Sequence, residues 1–140
     1  MTALPDMAGV TQTILYDADA ERRGVLGNCL QAAVAAAMGL ELGAVPHFAA
    51  FTWWEPAARL WLRGRGLDWQ MKPGIPAGRS IVVGRSPRQT GAHAVVGQDG
   101  EIVWDPHPDR SGLVDVIHSY LLVQWPVPGE PSACVACGAR

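Results

Sequence analysis

The feature that most constrains the fold is an uncharged, largely apolar segment at residues 29–39, CLQAAVAAAMG. Alanine, leucine and methionine are strong helix formers, Asn28 is a favourable N-cap residue and Gly39 is a frequent helix terminator. We therefore predict a buried helix from about Asn28 to Met38 that carries a thiol, Cys29, on its first turn. Its buried stripe is expected to contain Leu30, Val34, Ala37 and Met38.

The position of Cys29 suits a nucleophile. The unpaired N–H groups and the positive dipole end of a helix N-terminus favour the thiolate over the thiol. A histidine and a carboxylate follow downstream, at His93 and Asp105, in a segment with the pattern of a β-hairpin. This order of residue types predicts a Cys-His-Asp site for nucleophilic catalysis.

Strand pairing in this hairpin decides whether His93 and Asp105 share a face of the sheet. A three-residue loop at 98–100, with Gly100 in the left-handed conformation, would pair His93 directly with Asp105. Directly opposed residues have Cβ atoms about 4.5–5.5 Å apart, which allows a hydrogen bond between imidazole and carboxylate. A two-residue turn at 99–100 would instead place the two side chains on opposite faces, and the sequence is compatible with both turns.

The remaining patterns predict an α+β fold, with helices first and strands afterwards, in which an antiparallel β-sheet packs against the cysteine helix. A short lead-in strand is expected at 10–16. A second helix is expected at Thr52–Leu62, where Thr52 and Glu55 would form a capping box. The predicted strands are 67–72, 80–84, 92–97, 101–104 and 114–125.

Composition sets further limits on the protein class. With 140 residues, of which 49% are hydrophobic and 17% charged, the chain is long and apolar enough for one folded domain. We expect this domain at 1–125 and a flexible Pro/Gly-rich tail at 126–140. A formal net charge of −2 without a basic run argues against nucleic-acid binding. Because neither a membrane span nor a signal peptide is visible and three cysteines suggest no disulfide framework, a cytoplasmic protein is expected.

Five blocks of sequence carry a resemblance to known proteins: GNCLQAAVA at 27–35, VPHF at 45–48, SPR at 86–88, HAVV at 93–96 and DPHPD at 105–109. A cysteine on a helix, then a histidine at the start of a strand, then an acid on the next strand is similar to the papain-like cysteine peptidase fold. This similarity applies particularly to minimal bacterial forms such as the bacteriocin-processing domain of peptide exporters, and the resemblance of the five blocks is closer still. The five blocks together resemble a group of small proteins of bacteria and their phages. The resemblance implies Cys29 as nucleophile, His93 as general base and later acid, and Asp105 as the residue that orients the imidazole, but it implies no particular substrate.

The donor to the oxyanion is where the chain departs from the family pattern. Papain-like enzymes generally place a glutamine shortly before the cysteine, and the closest spacing would put it at position 23, which is Arg23. Gln12 and Asn28 are the alternative side-chain donors. The backbone N–H of Cys29, at the start of the helix, is a further candidate.

Other groups that could carry chemistry have simpler interpretations. His107 and Asp109 could orient a loop or contribute to a metal site, but a structural zinc needs four well-placed ligands, so neither a metal nor another cofactor is expected. Cys134 and Cys137 form a CxxC pair without a second pair or a βαβ context, which favours incidental chemistry specific to the tail. The six tryptophans are expected mainly in the core, with one or two lining a groove.

Two functional classes follow from these residues. The first is a cysteine hydrolase or acyl transferase, with peptidase, amidase or deamidase chemistry on a peptide or protein substrate. The second is a catalytically silent papain-like module that binds or inhibits a partner, such as a host protein in a phage setting. The departure at Arg23 favours the second class, and the presence of all three triad residue types favours the first. The fold does not choose between them, because function belongs to the site.

Overall fold

A computed structural model describes residues 4–15, 27–88 and 91–126. In these residues two α-helices pack against one antiparallel sheet of five strands, which confirms the predicted α+β class. The helices are α1 (Cys29–Met38) and α2 (Trp54–Arg63), and 3₁₀ turns at Leu42–Ala44 and Phe48–Ala50 lie between them. The strands are β1 (Leu67–Lys72), β2 (Arg79–Arg85), β3 (Ala92–Gln98), β4 (Glu101–Trp104) and β5 (Val116–Gln124).

The strand order is β1-β5-β2-β3-β4, so β5, the last strand of the described residues, lies in the interior of the sheet. Each neighbouring pair is antiparallel. Helix α1 packs on β2 and β3, and α2 packs on β1. This arrangement brings the N-terminal end of α1 near the beginning of β3.

Helix α1 is buried more completely than an amphipathic stripe would require. Leu30 and every residue from 32 to 38 are buried, which explains why the helix has no charged side chain. It ends as predicted at Gly39, whose φ of 67° is left-handed and places its N–H toward the carbonyl groups of Ala35 and Ala36. The N-terminal prediction is wrong in one detail, because the side chain of Asn28 makes no capping hydrogen bond.

Two other local predictions are also wrong. The described part of the lead-in segment, 10–15, is not a strand, and it is attached by single hydrogen bonds such as Asn28 N–H to Ile14 O at 3.1 Å. Helix α2 begins at Trp54 and has no side-chain cap, so the capping box of Thr52 and Glu55 does not form. Glu55 instead accepts a hydrogen bond from the indole N–H of Trp69 at 2.8 Å, because tertiary packing offers it a buried donor.

The turn between β3 and β4 corrects the predicted hairpin register. Gln98 pairs with Glu101, so the connection is the two-residue turn 99–100, whose φ angles of 52° and 89° are both left-handed. The pairing then shifts, since Gly97 lies opposite Ile102 but Val96 lies opposite Trp104. Val103 is therefore an extra residue in β4, and such a β-bulge reverses the face of every residue beyond it.

The bulge decides the position of the acid relative to the histidine. Continuing the shifted register places His93 opposite His107 and diagonal to Asp105, with all three on the same face. The predicted juxtaposition of His93 and Asp105 is thus present, although the three-residue loop proposed to produce it is absent.

Several predictions fall on residues outside the described ones: Tyr16 at the end of the lead-in segment, Arg23, the tail from 127 to 140, and Cys134 and Cys137 within that tail. Within the described segments, neither helix has the length and apolar character needed to cross a bilayer.

Candidate active site

Cys29 begins α1, and its side chain is partly exposed rather than enclosed in the core. The first N–H groups of an α-helix have no partner within the helix. The backbone N–H groups at this end of α1 are therefore oriented toward the same region as the thiol. Cys29 lines two pockets, which also share Gly27 and His93 in their lining.

Asn28, directly before the thiol, holds the N-terminal segment against the helix. Its Oδ1 accepts hydrogen bonds from the N–H groups of Thr13 and Ile14 at 3.0 and 2.8 Å. Its Nδ2 donates to Thr13 Oγ1 and Gln31 Oε1 at 3.0 and 3.3 Å. Both amide hydrogens are thus engaged in fixing the geometry around Cys29, and neither is left for an oxyanion.

His93 and Asp105 form a buried hydrogen-bonded pair. The distance from His93 Nε2 to Asp105 Oδ1 is 2.7 Å, and the two side chains are 5% and 4% exposed. Cys29 lies close enough to the His93 ring to influence its pKa, and both residues line the same two pockets. Because Nε2 is engaged by Asp105, Nδ1 is the nitrogen left to face the sulfur.

The charges of this pair are strongly coupled. Burial alone would lower the pKa of His93, but the hydrogen bond with Asp105, together with the proximity of Cys29 and the charges of both groups, raises the pKa to about 9. The imidazole is therefore a cation at neutral pH, held between an acid and a sulfur. An imidazolium is the counterion that a thiolate nucleophile requires.

Asp105 is fixed by backbone donors as well as by the histidine. Its Oδ1 also accepts from the N–H of His107 at 2.9 Å, and its Oδ2 accepts from the N–H of Gly112 at 2.7 Å. Burial raises the pKa of Asp105, but the hydrogen bonds from His93 and these N–H groups outweigh it and lower the pKa below its usual range. The carboxylate is thus ionised and oriented before any substrate binds.

The apolar pocket is the larger of the two spaces beside Cys29. Its volume is about 410 Å³, and Trp54 is the tryptophan that lines it. The side chains of Leu30, Val83 and Ala94 also contribute to its surface. A space of this size and character accepts an apolar side chain or acyl group next to the sulfur.

The polar pocket also borders Cys29 and His93 and is much smaller, with a volume of about 30 Å³. Its polar lining comes from Gln12, Ser86, Arg88 and His107. Gln12 is 6% exposed, and its Nε2 donates to the carbonyl oxygen of Ile14 at 2.9 Å. The Oε1 atom of Gln12 is buried and has no hydrogen-bond partner in the described part of the chain.

The sequence assigned no catalytic role to three residues of the polar pocket. Ser86, Arg88 and His107 belong to blocks that carry the family resemblance. This membership is the one sequence feature that could have identified them as residues of the site. Arg88 donates from one guanidinium nitrogen to Asp109 Oδ1 at 2.8 Å and to Ser111 Oγ at 2.6 Å.

His107 and Asp109 are hydrogen-bonded to each other, and Asp109 also pairs with Arg88, so the two are not arranged as metal ligands. The Asp109 N–H donates to His107 Nδ1 at 3.1 Å. Across residues 4–15, 27–88 and 91–126, no group of three or more His, Cys, Asp or Glu side chains has the arrangement of a metal site.

Comparison with known proteins adds no family to this geometry. No protein-family model matches the chain, and neither the curated proteins nor the solved structures contain a significant match.

Proposed function

We propose that the protein is a cysteine hydrolase with a papain-like arrangement, in which Cys29 is the nucleophile, His93 the general base and acid, and Asp105 the residue that orients the imidazole. The reaction is acyl transfer from a peptide, amide or ester bond to sulfur and then to water. The observation that carries the proposal is the buried hydrogen bond between Asp105 and His93, beside a partly exposed thiol that lines the same two pockets as His93.

In the acylation step, the Cys29 thiolate attacks the substrate carbonyl carbon and forms a C–S bond while the carbonyl π electrons move to oxygen. The tetrahedral intermediate collapses as the bond to the leaving group breaks. His93 donates its Nδ1 proton to a leaving amine, so the products are an amine, a neutral imidazole and a Cys29 thioester. Asp105 holds Nε2–H throughout and fixes the tautomer that exposes Nδ1 to the reaction.

The tetrahedral oxyanion needs donors near Cys29. The backbone N–H of Cys29 lies at the unpaired start of α1, where the helix dipole also favours negative charge. Gln12 lines the same small pocket as Cys29, and only one of its two Nε2 hydrogens is needed for the Ile14 carbonyl. We assign these two groups to the oxyanion and give Asn28 a positioning role, because its amide hydrogens are already used.

The apolar pocket bears on the substrate class. An apolar side chain or acyl chain bound there would remove apolar surface from water at about 25 cal/mol per Å² and would place the adjacent carbonyl near the sulfur. A peptide or protein substrate with an apolar residue close to the scissile bond fits this arrangement.

Formation of an acyl-enzyme tests the proposal directly. We expect p-nitrophenyl acetate to release one equivalent of p-nitrophenol in a fast phase and to leave an acetyl group on Cys29, located by mass spectrometry of proteolytic peptides. Peptide mapping is needed because Cys134 and Cys137 are also present. Cys29→Ala and His93→Ala should each abolish the fast phase, whereas Ser111→Ala, outside the triad, serves as a control for handling and purity.

If p-nitrophenyl acetate at neutral pH acetylates Cys29 no faster than Cys134 or Cys137, the proposed role of Cys29 as nucleophile is contradicted. The protein would then be better described as a papain-like binding or inhibitory module. A Cys29→Ala variant that retained its full biological effect would support the same conclusion.

A further inference from the structure

The polar pocket has a size and lining that differ from those of a side-chain subsite. Its volume of about 30 Å³ is close to the space that one water molecule needs. Both Cys29 and His93 line it, so a molecule in this pocket would contact the two groups that carry the acyl transfer. A bound water also needs two to four polar partners, and the lining supplies candidates for them.

The first partner is an acceptor. Only 6% of the surface of Gln12 is exposed, and its Oε1 atom has no hydrogen-bond partner among the described residues. The orientation of the Gln12 amide follows from Nε2, which donates to the carbonyl oxygen of Ile14 at 2.9 Å. If the amide were flipped, Oε1 would face that carbonyl oxygen, and two acceptors would be in contact. A buried acceptor without a donor is uncommon, and water is its usual partner.

The second partner is a donor on His107. His107 Nδ1 lies 3.1 Å from both the backbone nitrogen and the Oδ1 atom of Asp109. Because the backbone N–H donates to Nδ1 and Oδ1 already accepts from Arg88 and Ser111, the proton of the neutral ring lies on Nε2. Burial, followed by the charge of Arg88, lowers the pKa of His107, so the ring is neutral at physiological pH. Its ring stands edge to face against that of His93, with centroids 6.2 Å apart.

From these contacts we infer that the polar pocket binds the water molecule that hydrolyses the acyl-enzyme, with Gln12 Oε1 accepting from it and His107 Nε2–H donating to it. The inference rests on the proposed function. It makes Gln12 and His107 determinants of the second half of the reaction, and His107 a residue that positions the attacking water rather than one that activates the thiol.

The deacylation step balances with groups already present. The water oxygen attacks the thioester carbonyl carbon while His93 Nδ1 takes a proton from the water. The C–S bond then breaks, its electron pair returns to sulfur, and the acid is released. Cys29 is left as a thiolate beside an imidazolium, which is the state that began the cycle.

Two substitutions of His107 separate its two nitrogens. In His107→Asn the new Oδ1 can still accept the Asp109 N–H as an Asx turn, but no donor reaches the position of Nε2. In His107→Gln the terminal amide can place a donor near the position of Nε2. The neighbouring Pro108→Ala changes an exposed residue of the same loop and serves as the matched control.

Stopped-flow kinetics with p-nitrophenyl acetate measure the two half-reactions separately, as the rate of the initial burst and the rate of the later steady state. We expect His107→Asn to leave the burst rate unchanged and to slow deacylation roughly three- to tenfold, the effect of one hydrogen bond. His107→Gln and Pro108→Ala should remain close to the wild-type rate in both phases.

Three outcomes would overturn the inference. A wild-type deacylation rate in His107→Asn would show that the donor is not used. An equal loss in burst and steady-state rates would assign His107 to the oxyanion instead of the water. Absence of any acetyl-Cys29 in the wild-type protein would reject the proposed function itself. If His107→Asn fails to fold, as judged by thermal unfolding, His107→Ser replaces it in the same assay with the same expected results, because its hydroxyl can accept the Asp109 N–H but places no donor at the position of Nε2.

Discussion

Asp105 and Asp68 are two carboxylates that are equally buried, with 5% of each residue exposed, but their partners differ in kind. Asp105 accepts from His93 and from two backbone N–H groups. Asp68 accepts from the guanidinium groups of Arg59 and Arg63, at distances from 2.9 to 3.2 Å, and from the N–H of Trp69. Burial raises the pKa of both carboxyl groups, and in both cases the hydrogen bonds outweigh it and lower the pKa.

The difference between these carboxylates lies in what their partners can do. Arginine stays protonated at any accessible pH, so Asp68 forms a permanent ionic link between α2, which carries both arginines, and β1. Histidine can lose and regain a proton, and its other nitrogen faces a thiol beside two pockets. In this protein, the buried acid that belongs to the candidate active site is therefore the one whose partner can also exchange a proton with a third group.

The largest effect should come from Asp105→Asn. An amide neither stabilises the imidazolium nor enforces its tautomer, so we expect the rate of acylation at Cys29 to fall about 10³-fold or more at neutral pH. Asp68→Asn should acylate at the wild-type rate. Burst kinetics with p-nitrophenyl acetate check both, and a wild-type rate in Asp105→Asn would remove Asp105 from the proposed triad.

A smaller effect is expected on folding. Asp68→Asn leaves two arginines on α2 without their ionic partner, and we expect the free energy of unfolding to fall by about 2 kcal/mol, a value that allows for the partial exposure of both arginines. Urea denaturation followed by tryptophan fluorescence measures the change. Asp115→Asn is the matched control, because it breaks the exposed pair between Arg85 and Asp115 and should change stability little. Equal losses in the two variants would show that burial of Asp68 contributes nothing.

The third prediction concerns the pH at which the His93 ring loses its proton. Because the pKa of His93 is raised from 6.5 to about 9, its ring should stay protonated through neutral pH and lose the proton as pH rises through about 9. NMR titration of the histidine side chains measures this midpoint. Asp105→Asn should lower it, since the largest favourable contribution is removed, while Asp68→Asn should leave it unchanged. A titration midpoint near 6.5 for His93 in the wild-type protein would contradict the ion pair on which the mechanism depends.

Much of the fold follows from local patterns that the sequence displays. Helix α1, its termination at Gly39 and all five strands were predicted close to their observed bounds, since continuous apolar segments and glycine stops act over short distances. The predictions that failed were the lead-in strand, the three-residue hairpin loop and several single contacts. Glu55 could not be assigned to Trp69, nor Asn28 to Thr13, because each bond joins elements that are distant in sequence.

The residue types of the candidate triad, and their order along the chain, are properties of the sequence alone. Their convergence is not, because it depends on one extra residue, Val103, in β4. A two-residue turn without that bulge would have turned Asp105 away from His93. Local propensity selects the turn, but whether a bulge forms depends on the packing of the whole sheet against its neighbours, and so the face that Asp105 occupies became known only from the folded chain.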